Sequence, residues 1–468
     1  MLKLLRRRFH QSGYRKVAEG QSMPSAIGRL RESPVNHRTP FLVALRARQK
    51  FLNDWFQTHP SQPPPSRISF AYNDVVTREV ADRTPNDSFT SIILPFKDDQ
   101  WFLDSYISSY GRLRIGQLFQ DLDLLSGVIA NKHCSPAQPV IVTASVDRIL
   151  MLKRLDDVSH HNVVLWGSVT WTGRSSMEIT IHAATTAREN QAKPPTREEV
   201  ENDETFLVAN FTFVARDPDT NKAFPINRLV PQTDVDHQQF VLAEKYNLRK
   251  KSEAQRTALV KSPPTAEESR IIHELWMQNV EFSNNPEKRP ETTVPMDKTQ
   301  VQSANFMQPQ YRNRHSYMVF GGYMMRQAFE LAFACAAAFS HSQPRFVSLD
   351  TVTFKSPVPV GSVLYLDASV VYTERTRRAI SDVDSAPQVC EGMLIQVRVA
   401  STVQDLGHDG TKNAGEFYFS YFVHGSSRTV LPQSYDDMMK YIEGRRRSID
   451  ITQYIHDMHD PDAVEATE

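Results

Sequence analysis

Apolar residues fall at helical spacing in two places and in strand-like runs through most of the rest of the chain. Ile115, Leu118, Phe119, Leu122, Leu125 and Ile129 recur every three or four residues, which predicts a helix from about Leu113 to Asn131. Ahead of it, Thr90 to Phe96 (TSIILPF) reads as a short apolar strand. Behind it, four runs rich in β-branched and aromatic residues predict strands at Pro139 to Leu150, Val163 to Thr172, Met177 to Ala184 and Phe206 to Ala215. About two hundred residues later the same order returns. A run around Ala304 to Gln308 precedes a helix from Gly322 to Phe339, and strands follow at Phe346 to Phe354, Val363 to Thr373, Leu394 to Thr402 and Phe417 to Val423. The copies are in step: Gly116 and Gly322 open the helices 206 residues apart, and Asp147 (SVDRI) and Asp350 (SLDTV) mark the next strands 203 apart. The pattern predicts an α+β protein built from two copies of one helix-and-sheet unit.

The remaining segments take their roles from this repeat. The first copy is expected over residues 67–228 and the second over 296–430. Between them, 229–295 reads as a helical connector, with one helix over Asp236 to Leu259 and another over Thr265 to Met277. Residues 31–66 form a short helical lead-in ending in SQPPPS, whose prolines suit neither helix nor central strand. Residues 431–468 read as a C-terminal helix and acidic tail, with the cluster Arg445, Arg446 and Arg447 on an exposed face. Residues 1–30 begin with an Arg-rich segment that has no acid before Glu19 and is interleaved with Leu2, Leu4, Leu5 and Phe9. That is the composition of a mitochondrial transit peptide, so mitochondrial targeting, with the matrix as destination, is expected, against the plainer reading of a disordered basic tail.

Charge and cysteine usage narrow the functional classes. Lys+Arg 54 against Asp+Glu 54 leaves no basic excess of the kind a nucleic-acid binder needs. Cys134, Cys335 and Cys390 are far apart and form no CxxC or Cys/His ligand pattern, so neither a disulfide framework nor a metal site is expected. No run of about 18 uncharged apolar residues predicts a membrane-spanning helix.

The segments RNRHSYMVFGGYMMRQAFELAFACAAAF (Arg312 to Phe339) and FVSLDTVTFKSPVPVGSVLYLDASVVYT (Phe346 to Thr373) resemble the second half of the mitochondrial acyl-coenzyme A thioesterase 9 family. DSYISSYGRLRIGQLFQDLDLLSGVI (Asp104 to Ile129), VTASVDRI, WGSVTWTGRSSMEI and FVARD resemble its first half in the same order, so the similarity spans roughly residues 85 to 430. The resemblance implies two fused hotdog domains, each a long helix wrapped by an antiparallel sheet, with the sheets joined edge to edge. It also implies acyl-CoA thioester hydrolysis, releasing fatty acid and coenzyme A, by homo-oligomers of such subunits. No separate cofactor is implied, because coenzyme A belongs to the substrate.

Thioester hydrolysis needs a group that activates water or attacks directly, and dipoles that hold the developing oxyanion. A carboxylate and a helix N-terminus can supply both. The first helix offers Asp121 and Asp123, which flank its apolar stripe on opposite edges, so periodicity does not choose between them. The family register, with a Gly at the helix start and an Asp seven residues on, aligns Gly116 with Asp123 and implies that Asp123 is the general base or nucleophile. By the same resemblance the amides of Gly321 and Gly322 would face the thioester carbonyl, and Asn313 or His315, on the approach to that helix, would face Asp123. The Asn spacing differs from the close N-x-x-GG pattern of other members, and a turn-shaping role for Asn313 and a packing role for His315 are the plainer readings. The repeat position of Asp123 is Phe329, beside Glu330, so one working site and an idle mirror site are expected. Coenzyme A carries phosphates, and Arg174, Ser175 and Ser176 in TGRSSMEI are the best candidates to meet them, against the plainer reading of a turn. The alanine-rich, aromatic face of Ala328 to Phe339 reads as core or as the border of an acyl channel. A catalytically silent acyl-CoA binder is the main alternative, and a hydroxyacyl-thioester dehydratase a lesser one. A serine hydrolase is disfavoured, because no G-x-S-x-G elbow occurs.

Overall fold

A computed structural model of the chain describes residues 75, 77–189, 194–218, 220, 222–256, 263–313, 318–350, 352–407 and 410–459. The expected transit segment and lead-in lie outside the described residues.

In the first half, strand β1 (Thr90–Leu94) precedes helix α1 (Ile115–His133), which is followed by β2 (Val140–Met151), β3 (Asn162–Thr172), β4 (Ser176–Thr186) and β5 (Glu204–Arg216). Connector helices α2 (Asp234–Arg256) and α3 (Ala266–Asn284) follow. The second half repeats the order with β6 (Val301–Phe306), α4 (Gly321–Ser340), β7 (Arg345–Leu349), β8 (Val352–Phe354), β9 (Val363–Asp382), β10 (Ser385–Gln404) and β11 (Thr411–His424). Helix α5 (Tyr435–His459) ends the described chain. This is the double hotdog: two long helices, each held in its own half-sheet.

The half-sheets form one continuous 11-stranded sheet in the order β1-β3-β4-β5-β2-β7-β11-β10-β9-β6, with β8 also pairing to β11 and β2. The seam is antiparallel: β7 pairs with β2 at Ser348 to Leu150 and Leu349 to Ile149, and β8 at Val352 to Val146 and Thr353 to Ser145. Joining the two inner edges in this way leaves no free edge at the centre of the protein.

The apolar stripe of α1 explains why this helix forms and where it sits. Leu118, Phe119, Leu122, Leu125 and Ile129 are all buried between the sheet and α4. On the other side, Ala328, Ala332 and Ala336 let α4 lie close to its own half-sheet while Phe329 packs edge-on against Phe119, with ring centres 5.4 Å apart. The two helices pack against each other, so the N-terminus of each meets the flank of its partner.

Three expectations are corrected. The run from Phe346 to Phe354 is two strands rather than one, flanking Asp350, a buried carboxyl that interrupts the apolar pattern. Strands β9 and β10 extend well past Thr373 and back before Leu394, and at the tip of their hairpin Val383 N–H donates to the Arg154 carbonyl while Asp384 bonds His161. The basic cluster near the C-terminus is not a merely exposed face. Arg446 forms a two-pronged pair with Glu268 of α3, Arg445 pairs with Glu267, and the Arg447 guanidinium stacks 3.5 Å over the Tyr418 ring. Met438, Ile442, Ile451 and Tyr454 of α5 are buried, so the helix is strapped across the outer face of the sheet.

Candidate active site

Neither long helix has a side-chain cap at its start. Arg114 precedes α1 and Phe320 precedes α4, and neither side chain bonds the first turn. The first amides of α4 are therefore left for another acceptor. The chain enters α4 through a narrow loop in which Asn313 N–H donates to Met318 O at 2.7 Å and Phe320 N–H donates to Tyr311 O at 3.0 Å. The backbone of Asn313 thus helps to close this loop. His315 lies outside the described residues.

Asp123, on α1 of the first half, supplies the missing acceptor. Its Oδ2 accepts the Gly322 N–H at 2.7 Å across the interface between the halves, and its Oδ1 accepts from Thr143 Oγ1 of β2 at 3.2 Å. The side chain is almost fully buried. Burial pushes its carboxyl up from 3.8 to about 6, against the opposing pull of the Gly322 amide and the Thr143 hydroxyl. Gly322 has to be a glycine for this contact to exist: a Cβ there would lie 2.8 Å from the Phe320 ring and 3.0 Å from both Asp123 Cβ and the Gln120 Cα. Gly321 is less tightly enclosed, with its Cβ position 3.1 Å from the Phe354 ring and 3.5 Å from Asp123 Oδ2. The structure thus brings Asp123, Gly321 and Gly322 together, with one difference. The Gly322 amide, expected to face a thioester carbonyl, is held by the Asp123 carboxylate, the nearest acceptor to an uncapped helix end.

The two carboxyls that helical periodicity left tied are separated by their partners. Asp121 is completely buried, accepts a hydrogen bond from the Tyr106 hydroxyl, and is pushed to about 7 by burial. It faces the loop before α1 rather than the end of α4. Thr143 and Phe354 were not singled out from sequence. Thr143 gives no distinguishing signal, because it shares PVIVTASVDRIL with Ser145, Asp147 and Arg148 and threonine is common in strands.

At the repeat-related position, Phe329 occupies the place of Asp123, and its Cδ1 lies 3.0 Å from the Cβ position of Gly116. The neighbouring Glu330 is neutralised by Arg114, whose Nε donates to Oε1 at 2.9 Å. In the mirror arrangement Glu330 Oε1 lies 3.4 Å from the Cβ position of Gly116, but it is bonded by the Arg114 side chain, and among the described residues no hydrogen bond from a first-turn amide of α1 to a carboxylate matches that of Gly322 to Asp123.

Arg174 and Ser175 lie in the tight turn from β3 to β4, and Ser176 opens β4. Gly173 N–H donates to Ser176 O at 2.8 Å, Ala215 N–H to Ser175 O at 2.8 Å, and Ile226 N–H to Arg174 O at 3.1 Å. Arg174 is exposed. Thr143 pairs with Phe213 and Phe213 with Met177, so the turn lies at the same end of the half-sheet as Thr143, two strands across. It is near the Asp123 end of the fold without touching Asp123.

Residues 318–379 match the family model described as the thioesterase superfamily. Acyl-coenzyme A thioesterase 2, chloroplastic, of Humulus lupulus is 31% identical over 78% of this chain and 81% of its own length. Acyl-coenzyme A thioesterase 9, mitochondrial, of Bos taurus is 30% identical over 78% of each. Acyl-coenzyme A thioesterase 4, mitochondrial, of Humulus lupulus is 30% identical over 82% of this chain and 68% of its own. These matches reach across both halves and the connector, and they agree with the paired-helix architecture: the chain belongs to the acyl-coenzyme A thioesterase family of hotdog thioester hydrolases.

Proposed function

We propose that the chain hydrolyses acyl-CoA esters to fatty acid and coenzyme A with Asp123 as the reacting carboxylate. The observation that carries this reading is the 2.7 Å contact between Asp123 Oδ2 and the first-turn amide of Gly322. A buried carboxylate with a pKa near 6 is a better base than an exposed aspartate and is still ionised at neutral pH. The helix dipole that steadies this anion also lies where negative charge develops on the carbonyl oxygen, with the Gly321 amide as donor while the Gly322 amide holds Asp123 in place. Asp123 takes a proton from water as the new C–O bond forms, the C–S bond breaks, and the thiolate leaves with that proton. Direct attack by Asp123 through a mixed anhydride uses the same geometry, and single turnover in heavy-oxygen water distinguishes the two. Asn313 or His315 orients the water or the carbonyl, and Arg174, Ser175 and Ser176 meet the phosphates of coenzyme A. Location in mitochondria, no separate cofactor, and self-association of double-hotdog subunits complete the reading.

The test is release of free thiol from a series of acyl-CoA esters by wild-type chain and by Asp123→Ala, with acyl-CoA binding measured on both. Turnover by wild type and its loss in the variant, with binding kept, supports the reading. Equal inertness of both with binding retained would assign the chain to silent acyl-CoA binding instead.

A further inference from the structure

The mirror half is not filled in. A cavity of about 530 Å³ opens beside Phe329 and Glu330, in the size range of small-ligand pockets. Its floor is apolar, formed by Phe329, Phe333 and Phe346 with Leu113, Met151 and Leu155. One rim carries Arg112, Arg114, Arg154 and Arg345. A second recess shares Arg112 and Arg345 and adds His341 and His424.

The charges around this rim do not cancel. Arg114 is taken by Glu330, Arg345 by Asp156 at 2.5 Å, and Arg154 lies between Asp156 and Asp382. Arg112 reaches only the already shared Asp156, at 3.8 Å, and it stands beside two other guanidiniums, Arg345 and Arg154. Among the described residues, one cation is left in excess at the mouth of an apolar cleft. That combination suits a ligand with a hydrocarbon tail and a negative head.

We propose that this cleft is a second, non-hydrolytic binding site for an acyl chain carrying an anionic head group. Phe329 replaces the carboxylate that would cleave a thioester there, and Arg114 holds Glu330 as an ion pair, so a bound ligand persists. Two sources share this chemistry, a free fatty acid with its carboxylate and an acyl-CoA with its phosphates. The proposal goes beyond hydrolysis at Asp123: the non-hydrolytic character of the cleft rests on that reading, whereas binding of dodecanoate in it does not.

The test is calorimetric titration of the full-length chain with dodecanoate, with dodecanol, and, using Asp123→Asn to prevent turnover, with dodecanoyl-CoA. Ala334→Trp plugs the cleft from an exposed lining position, and Arg112→Ala removes the excess charge while leaving the tail pocket intact. Expected is one fewer dodecanoate or dodecanoyl-CoA bound per chain in Ala334→Trp, with thiol release from a short acyl-CoA unchanged. Arg112→Ala is expected to weaken binding of the charged ligand at this site by about tenfold and that of dodecanol hardly at all. Whichever of the two charged ligands loses the site identifies the source. Unchanged stoichiometry for both in Ala334→Trp, or dodecanol binding as tightly as dodecanoate, overturns the proposal. The dodecanoate and dodecanol outcomes hold whether or not the chain proves to be a hydrolase at Asp123.

Discussion

Asp123 and Gly322, 199 residues apart in sequence, are joined by one hydrogen bond of 2.7 Å that links the first half of the molecule to the second. The carboxylate proposed to react and the helix end proposed to steady the oxyanion come from different copies of the repeat, so on that reading neither half alone carries a complete site. The spacing between the helices is set by backbone approach at Gly322, and this makes the site sensitive to single methyl groups.

Gly322→Ala is the sharpest steric probe. Its new Cβ meets the Gln120 backbone and Asp123 Cβ at 3.0 Å, so the helices must move apart. The expected result is loss of most thiol-release activity and destabilisation of roughly 1–3 kcal/mol, as for overpacked cores. Gly116→Ala meets only side chains, Phe329 Cδ1 first at 3.0 Å, which can turn aside. Chemical denaturation and kcat for both variants check the contrast: Gly116→Ala should be the milder in each.

The pH profile should carry the signature of Asp123. Its carboxyl must be ionised to act, so kcat/KM is expected to rise with pH through about 6 and level off above it. Thr143→Val removes the hydroxyl that favours the ionised form, so the same limb should move to higher pH, while Thr143→Ser leaves it in place. A limb that stays put in Thr143→Val would show that Asp123 is not the titrating group.

Burial of Asp123 should also cost stability at working pH. A carboxyl raised from 3.8 to about 6 on folding binds its proton more tightly when folded. Its contribution is full below about pH 4 and is lost as pH rises through about 6, by on the order of 1–3 kcal/mol. Asp123→Asn, which can still accept the Gly322 N–H, is therefore expected to melt a few degrees higher than wild type at pH 8. At pH 4 that gap should close. Thermal melts at both values decide the point.

Most of the scaffold was legible in the chain because its burial pattern is strong. The stripe from Ile115 to Ile129 and the Gly-to-Gly offset between the copies marked both long helices to within two residues. What stayed hidden depends on distant partners. Asp121 and Asp123 flank the same stripe, so periodicity left them tied; the family register favoured Asp123, and their partners, Tyr106 for one and Gly322 for the other, lie too far off in sequence to be read. Arg445, Arg446 and Arg447 look like a solvated cluster until Glu267, Glu268 and Tyr418 are placed beneath them. The outer parts of β9 and β10, around Glu374, Arg375 and Arg377, carry polar residues on both faces and so give no alternation to read.

The central claim is tested most directly by kcat for thiol release from acyl-CoA in Asp123→Asn set beside Asp121→Asn. Both substitutions keep an acceptor oxygen and remove a buried ionisable group, so a general effect of altering α1 should appear in both. The expected result is a loss on the order of a thousandfold in Asp123→Asn and less than about tenfold in Asp121→Asn. Near-wild-type turnover in Asp123→Asn, or equal losses in the two, would contradict a reacting role for Asp123.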